Sequence, residues 1–166
     1  MSGLKISSLT VDDIRELKWE QVSGLTYKER EIIGRAIFAS ICNKHYRFTK
    51  GEFDSWDVST TGKTNTFNIE IKYRYILREK YDEDGYWLEE WKYNELMEAY
   101  RETGSIPYFI TFLRDGVGYV WNLLDLDPVF EKRLATKSTA NGTYGKEKKF
   151  KSVCYPMPSE GKEIRW

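Results

Sequence analysis

Histidine is almost absent from this 166-residue chain: His45 is the only one, and cysteine occurs twice, as Cys42 and Cys154. With so few imidazole and thiolate donors, a zinc site of the Cys/His kind is excluded, and any metal must be held mainly by carboxylates. The two cysteines lie far apart in sequence, which argues against a disulfide framework and for a reducing cytoplasm. No apolar run approaches the length of a membrane span, so no membrane partner is expected. The opening Met1-Ser-Gly-Leu-Lys-Ile-Ser-Ser lacks an apolar core, so no secretory leader is expected. Neither sign of charge is in excess: 26 basic residues face 26 acidic ones. Global charge therefore gives no sign of a nucleic-acid partner, and only the distribution of charge can. There is no internal repeat.

What the chain does have is aromatic residues, 16% of the total, with six Trp and twelve Tyr. Its length is sufficient for one domain with a core of its own. Three stretches are expected: a helical N-terminal extension over 1–25, a core over 26–125, and a basic C-terminal segment over 126–166 packed on the same domain. Thr10-Val-Asp-Asp13 resembles a capping box and predicts a helix to about Gln21. Thr26-Tyr-Lys-Glu29 is a fuller box and predicts a helix to about Cys42, with Ile32, Ile33, Ala36, Ile37 and Ile41 as its buried stripe. Lys44 to Thr49 reads as a first strand, ended by a turn at Lys50-Gly51. A polar loop over Lys80–Gly85 precedes a helix from about Tyr86 to Glu102, capped by Thr103-Gly104. Asp115-Gly116 between two apolar runs predicts a hairpin over 107–123.

The informative stretch runs from Phe53 to Arg74. Phe67, Ile69, Ile71 and Tyr73 alternate with Asn68, Glu70, Lys72 and Arg74, a period of two that predicts a strand with one apolar face. Trp56 and Val58 alternate in the same way, and the turn residues Thr61-Gly-Lys-Thr-Asn65 lie between. A hairpin centred between Lys63 and Thr64 places Asp57 opposite Glu70. Opposed residues share a face, with Cβ atoms about 5 Å apart, and Lys72 follows on that face about 7 Å further along. Two carboxylates this close repel unless a cation or proton intervenes. A hard divalent ion such as Mg²⁺ suits such a site, because it takes oxygen ligands from one or two carboxylates, phosphates and water.

Asp57 followed by Glu70-Ile71-Lys72 resembles the Asp…Glu-x-Lys core of the PD-(D/E)XK nuclease superfamily. Trp56 stands where many members have proline. The resemblance covers roughly Thr26 to Leu123. It implies a single α/β domain, with a central mixed sheet flanked by helices in a restriction-endonuclease-like arrangement. The activity it implies is that of a Mg²⁺-dependent endonuclease, with Mn²⁺ as substitute, acting on DNA, with cleavage either structure-directed or weakly specific. Asp57, Glu70 and the Ile71 carbonyl would hold the metal, and Lys72 would act on the attacking water or on transition-state charge.

Two further residues are candidates by the same resemblance. Many members carry a glutamate on the first core helix that reaches the metal. Glu29 lies nearer the centre of the apolar stripe than Glu31 does on a helical wheel, which favours Glu29 with Glu31 as the alternative. The plainer reading of Glu29 is that it only closes the capping box. Lys92 sits near the middle of its helix's apolar side, where an unpaired ammonium is costly. It either aims at the site, as a Gln or Lys does in several subgroups, or snorkels to water. Between residues 132 and 151, seven basic residues face Glu147 alone. Within that segment 136–145 reads as a mobile loop, and Phe150 to Tyr155 as a last strand before a polar tail. Lys137, Lys146, Lys148, Lys149 and Lys151 are expected to contact a nucleic-acid backbone. A ribonuclease and a non-catalytic nucleic-acid- or protein-binding module are the competing readings. Nucleases that cut both strands are often dimers, which leaves a homodimer open.

Overall fold

The computed structural model describes residues 6–50, 54–80, 87–138 and 144–166, and the side chains among these outside 135–148. Two short helices, α1 (Val11–Arg15) and α2 (Trp19–Ser23), precede a longer one, α3 (Tyr27–Ile41). A single helix was expected over the first pair. Instead Lys18 takes up extended backbone, and its N–H donates to the Gln21 side chain at 2.8 Å. The break lets Ile14, Leu17 and Val22 all be buried. An unbroken helix would carry Val22 off the stripe that Ile14 and Leu17 begin.

Strands β1 (His45–Phe48), β2 (Val58–Thr61) and β3 (Thr66–Arg74) form an antiparallel meander. After a two-residue strand β4 (Leu88–Glu89), helix α4 (Glu90–Thr103) returns the chain to β5 (Ile106–Leu113), which pairs parallel to β3. β6 (Val117–Asn122) then folds back on β5 through a turn in which Gly116 has φ 79°, a left-handed conformation that favours glycine. The main sheet has six strands among the described residues, in the order β1-β2-β3-β5-β6-β9, where β9 is Lys162–Arg165. It is mixed and central, and β3 lies within it, hydrogen-bonded on both sides.

Two cores cover the two faces. On one, α3 brings Ile33, Ile37 and Phe38 against Ile69, Ile71 and Tyr73 of β3. Gly34 lets the helix approach closely, since a Cβ there would stand 3.0 Å from the Ile71 side chain. On the other face, Leu96 of α4 packs with Phe109, Leu113 and Trp121. Glu70 and Lys72 alternate with Ile69, Ile71 and Tyr73, so they belong to this second face.

Three expectations need correction. The helix expected from about Tyr86 begins at Glu90, because Leu88 and Glu89 pair with Cys154 and Val153 first. Of the mobile loop expected over 136–145, the described residues 136–138 and 144–145 are strand: β7 (Glu131–Ser138) and β8 (Tyr144–Cys154) pair antiparallel and join β4 in a second sheet. Its strands are too polar for an apolar alternation to reveal them, and backbone pairing carries them. The polar tail contains β9, which pairs with β6, and Trp166 beyond it is buried. The described residues exclude residues 139–143, Gly51, Phe53 and most of the expected loop over 80–85. No helix among the described residues is long and apolar enough to cross a membrane.

Candidate active site

The β2–β3 register is the one the hairpin symmetry predicted, with Val58 opposite Ile69 and Ser59 opposite Asn68. One step further, Asp57 has left strand geometry but continues the ladder: its N–H donates to the Ile69 carbonyl at 3.0 Å. Its carboxylate then takes the place of the next backbone carbonyl, with Oδ2 accepting from the Ile71 N–H at 2.7 Å. In an extended strand a residue's N–H and C=O share one edge, so the Ile71 carbonyl faces the same edge as Asp57. Arg35 of α3 holds the splayed segment. It donates to the Thr49 carbonyl at 2.9 Å, and its Nη2 lies 3.4 Å from Asp57 Oδ1 and 2.5 Å from Glu31 Oε1.

Glu70 is fully buried at the centre of β3. Lys72 Nζ lies 2.6 Å from its Oε1 and Lys92 Nζ lies 3.0 Å from its Oε2. Both oxygens sit at ion-pair distance, yet neither accepts a well-directed hydrogen bond. Lys92 does not snorkel; it turns inward from α4 and also donates to the Asp54 carbonyl at 2.7 Å. Lys72 donates to the Tyr27 hydroxyl at 2.8 Å and stands over the Tyr27 ring, 5.2 Å from its centroid.

The electrostatics follow from this packing. Burial and the neighbouring Glu70 charge push the Asp57 carboxyl up to about 7. Burial would raise Glu70 too, but the Lys72 and Lys92 ammoniums outweigh it and hold that carboxyl below its ordinary range. Burial would lower Lys72, but Glu70, Tyr27 and Asp57 outweigh it and keep the ammonium charged far above its ordinary value. The site is thus a buried carboxylate locked between two cations, beside a second carboxyl that is only half ionised near neutrality. Among the described residues no group of three or more His, Cys, Asp or Glu side chains stands ready for a metal. The donors available to a cation here are the carboxylates of Asp57 and Glu70 and the Ile71 carbonyl. This hard-oxygen set fits Mg²⁺ or Mn²⁺ with phosphate and water completing the shell. A cation would also relieve the repulsion that raises Asp57.

Glu29 closes a helix cap, that of α3: its Oε2 accepts from both the N–H and the hydroxyl of Thr26, each at 2.8 Å. Glu31, through Arg35, is the helix carboxylate whose charge reaches Asp57. Lys149 is exposed on β8, and Lys151 Nζ pairs with Glu89 Oε1 at 2.5 Å. Lys137, Lys146 and Lys148 lie on the hairpin strands, with side chains outside the described set. His45 is exposed on β1. Sequence reasoning missed Tyr27 and Arg35. Arg35 follows Glu31 by four residues, an ion-pair spacing that marks it weakly. Nothing in the sequence marks Tyr27 beyond its place after the cap.

No family profile matches the chain, and no curated protein matches it. In three dimensions it is similar to Archaeoglobus fulgidus Hjc, a Holliday junction resolvase from an archaeal hyperthermophile. The TM-score is 0.50 at 16% identity, over 78% of this chain and 87% of that one. The likeness is one of fold: a single mixed α/β domain of the restriction-endonuclease-like type, as the Asp57…Glu70-Ile71-Lys72 resemblance implied.

Proposed function

We propose that the chain is a divalent-metal-dependent nuclease that cuts phosphodiester bonds in DNA, directed by the shape of its substrate. One observation carries this reading. A restriction-endonuclease-like sheet holds Glu70 buried between Lys72 and Lys92, with Asp57 against it. Burying such charges is costly, and a scaffold has no use for them. The likeness to a resolvase makes four-way junction DNA the first substrate to try.

The chain's own residues have distinct roles in this reading. Lys72 remains an ammonium, so it serves as a hydrogen-bond donor and fixed positive charge toward a phosphate oxygen or the attacking water, and not as the base. Tyr27 and Glu70 fix its direction. Lys92 holds Glu70 and ties α4 to the segment before Asp57. A divalent ion held by Asp57, Glu70 and the Ile71 carbonyl would polarise the phosphate and acidify a bound water.

The test is cleavage of labelled four-way junction, flap and linear duplex DNA, and of single-stranded RNA, with Mg²⁺, Mn²⁺ or EDTA. Metal-dependent cutting of DNA is expected. Asp57→Asn should weaken metal binding and recover partly at high Mn²⁺. Lys72→Ala should keep metal binding and lose on the order of 10²-fold or more in single-turnover rate. Cutting of RNA alone, or full activity in both variants, would overturn the reading.

A further inference from the structure

Tyr27 is the first helical residue of α3, and its side chain reaches across to β3. Its hydroxyl accepts from Lys72 Nζ at 2.8 Å, while the residue as a whole stays 40% exposed. A phenol can accept and also donate. Lys72 uses the accepting role, and among the described residues the Tyr27 hydrogen meets no acceptor. The Lys72 charge would lower the phenol, but burial and the charges of Glu70 and Asp57 outweigh it and hold the phenol above its ordinary range. The hydroxyl therefore keeps its hydrogen at neutral pH. An O–H that accepts from an ammonium is polarised by it and donates more strongly. Lys72 is placed likewise: Glu70 and Tyr27 take two of its three N–H directions and leave one. Two donors 2.8 Å apart, each with one hydrogen to give, thus stand side by side. Tyr27, Glu31, Ile71 and Lys72 line one small cleft, so the pair opens beside the carbonyl that is a candidate metal donor.

We propose that Tyr27 is a catalytic residue whose hydroxyl donates to a nonbridging oxygen of the scissile phosphate, beside Lys72. This rests on the nuclease reading and deepens it. As water attacks the phosphorus, negative charge builds on the nonbridging oxygens, and a donor already aimed at one of them stabilises that charge without reorganising. The phenol's proton stays on the phenol; it is shared in a hydrogen bond and not transferred. The bond from Lys72 also sets where the Tyr27 hydrogen can point, because that hydrogen must turn away from the incoming N–H. Tyr27 is then more than a brace for the lysine: the two side chains orient each other and face the same phosphate.

The experiment compares wild type with Tyr27→Phe, which keeps the ring beneath Lys72 and removes only the hydroxyl. Wild-type chain with Mg²⁺ first maps the cut in labelled four-way junction and linear duplex DNA. Single-turnover cleavage by Tyr27→Phe should then be slower on the order of 10²-fold, the loss of one transition-state donor. Its Mn²⁺ affinity by calorimetry and its DNA binding in EDTA should match wild type. Both proteins are next given substrates with one sulfur at either nonbridging position of the mapped phosphate, the two diastereomers being separated. Sulfur accepts hydrogen bonds poorly, so wild type should be slowed by the diastereomer that places sulfur opposite Tyr27. In Tyr27→Phe that slowing should shrink several-fold, while the effect of the other diastereomer persists. A slower variant with both sulfur effects intact would make Tyr27 only a brace for Lys72, and an unchanged rate would remove it from the chemistry. Either result overturns the proposal and leaves the nuclease reading standing. If wild type cuts no DNA, the nuclease reading falls and the proposal with it.

Discussion

Asp57 illustrates how burial and a neighbouring charge set a single group's behaviour. Its carboxyl titrates near 7 in the folded chain, against an ordinary value of 3.8. Between these values the folded state holds a proton that the unfolded state has released, so stability falls as pH rises from about 4 to 7, by at most about 1.4 kcal/mol per pH unit. Glu70 acts in the opposite sense: its contribution is present above its ordinary 4.5 and lost as pH falls through its lowered folded value, below the Asp57 window. Urea unfolding of metal-free chain should therefore show stability declining toward neutrality. Asp57→Asn should flatten that decline, and so should saturating Mn²⁺, which favours the charged carboxylate. A flat profile for metal-free wild type would refute the raised Asp57 carboxyl.

At the scale of elements, α3 and the β7–β8 hairpin make separate demands. The α3 cap uses Glu29 as an acceptor for Thr26. Thr26→Ala should cost about 1 kcal/mol of stability, and Glu29→Gln less, with Mn²⁺ affinity by calorimetry unchanged in both. A loss of metal affinity in Glu29→Gln would return Glu29 to the site. In the hairpin, Leu134 and Phe150 pair across the strands while both remain exposed. Replacing Lys146, Lys148 and Lys149 by Gln should weaken DNA binding and flatten its salt dependence. The log–log slope should fall by about 0.9 for each lost duplex phosphate contact. An unchanged slope would mean these lysines only face solvent.

At the scale of the whole molecule, the C-terminal strand seals the sheet. β9 pairs with β6, and Trp166 follows it into the core, its Nε1 donating to the Val117 carbonyl at 3.0 Å and its ring edge-on to Phe112. Trp166→Ala should cost about 3–5 kcal/mol, the range for truncating a buried aromatic. Thermal melting checks this, and a loss under about 1 kcal/mol would show that the tail is dispensable. The site lies on β3, well inside the sheet, so the surviving folded fraction should keep its metal affinity.

The sequence by itself determined the hairpin and its register. Alternation on both arms around a short turn leaves one pairing that buries both apolar faces, and a slip of one residue would invert every side chain. Asp57, Glu70 and Lys72 follow from that pairing, as does α3 from its capping box; of its expected stripe Ile33 and Ile37 are buried, whereas Ile41 is exposed and Phe38 is buried in its stead. Tertiary structure alone decided which more distant groups meet them. Tyr27, Arg35 and Lys92 reach the site from α3 and α4, across separations that no local period encodes, and Glu29 closes its own cap. Only the end of β8 was legible, as a strand from Phe150, while β7 and β9 escaped notice for the same reason. These strands are joined by backbone hydrogen bonds and long-range contacts, which leave little hydrophobic pattern in the chain.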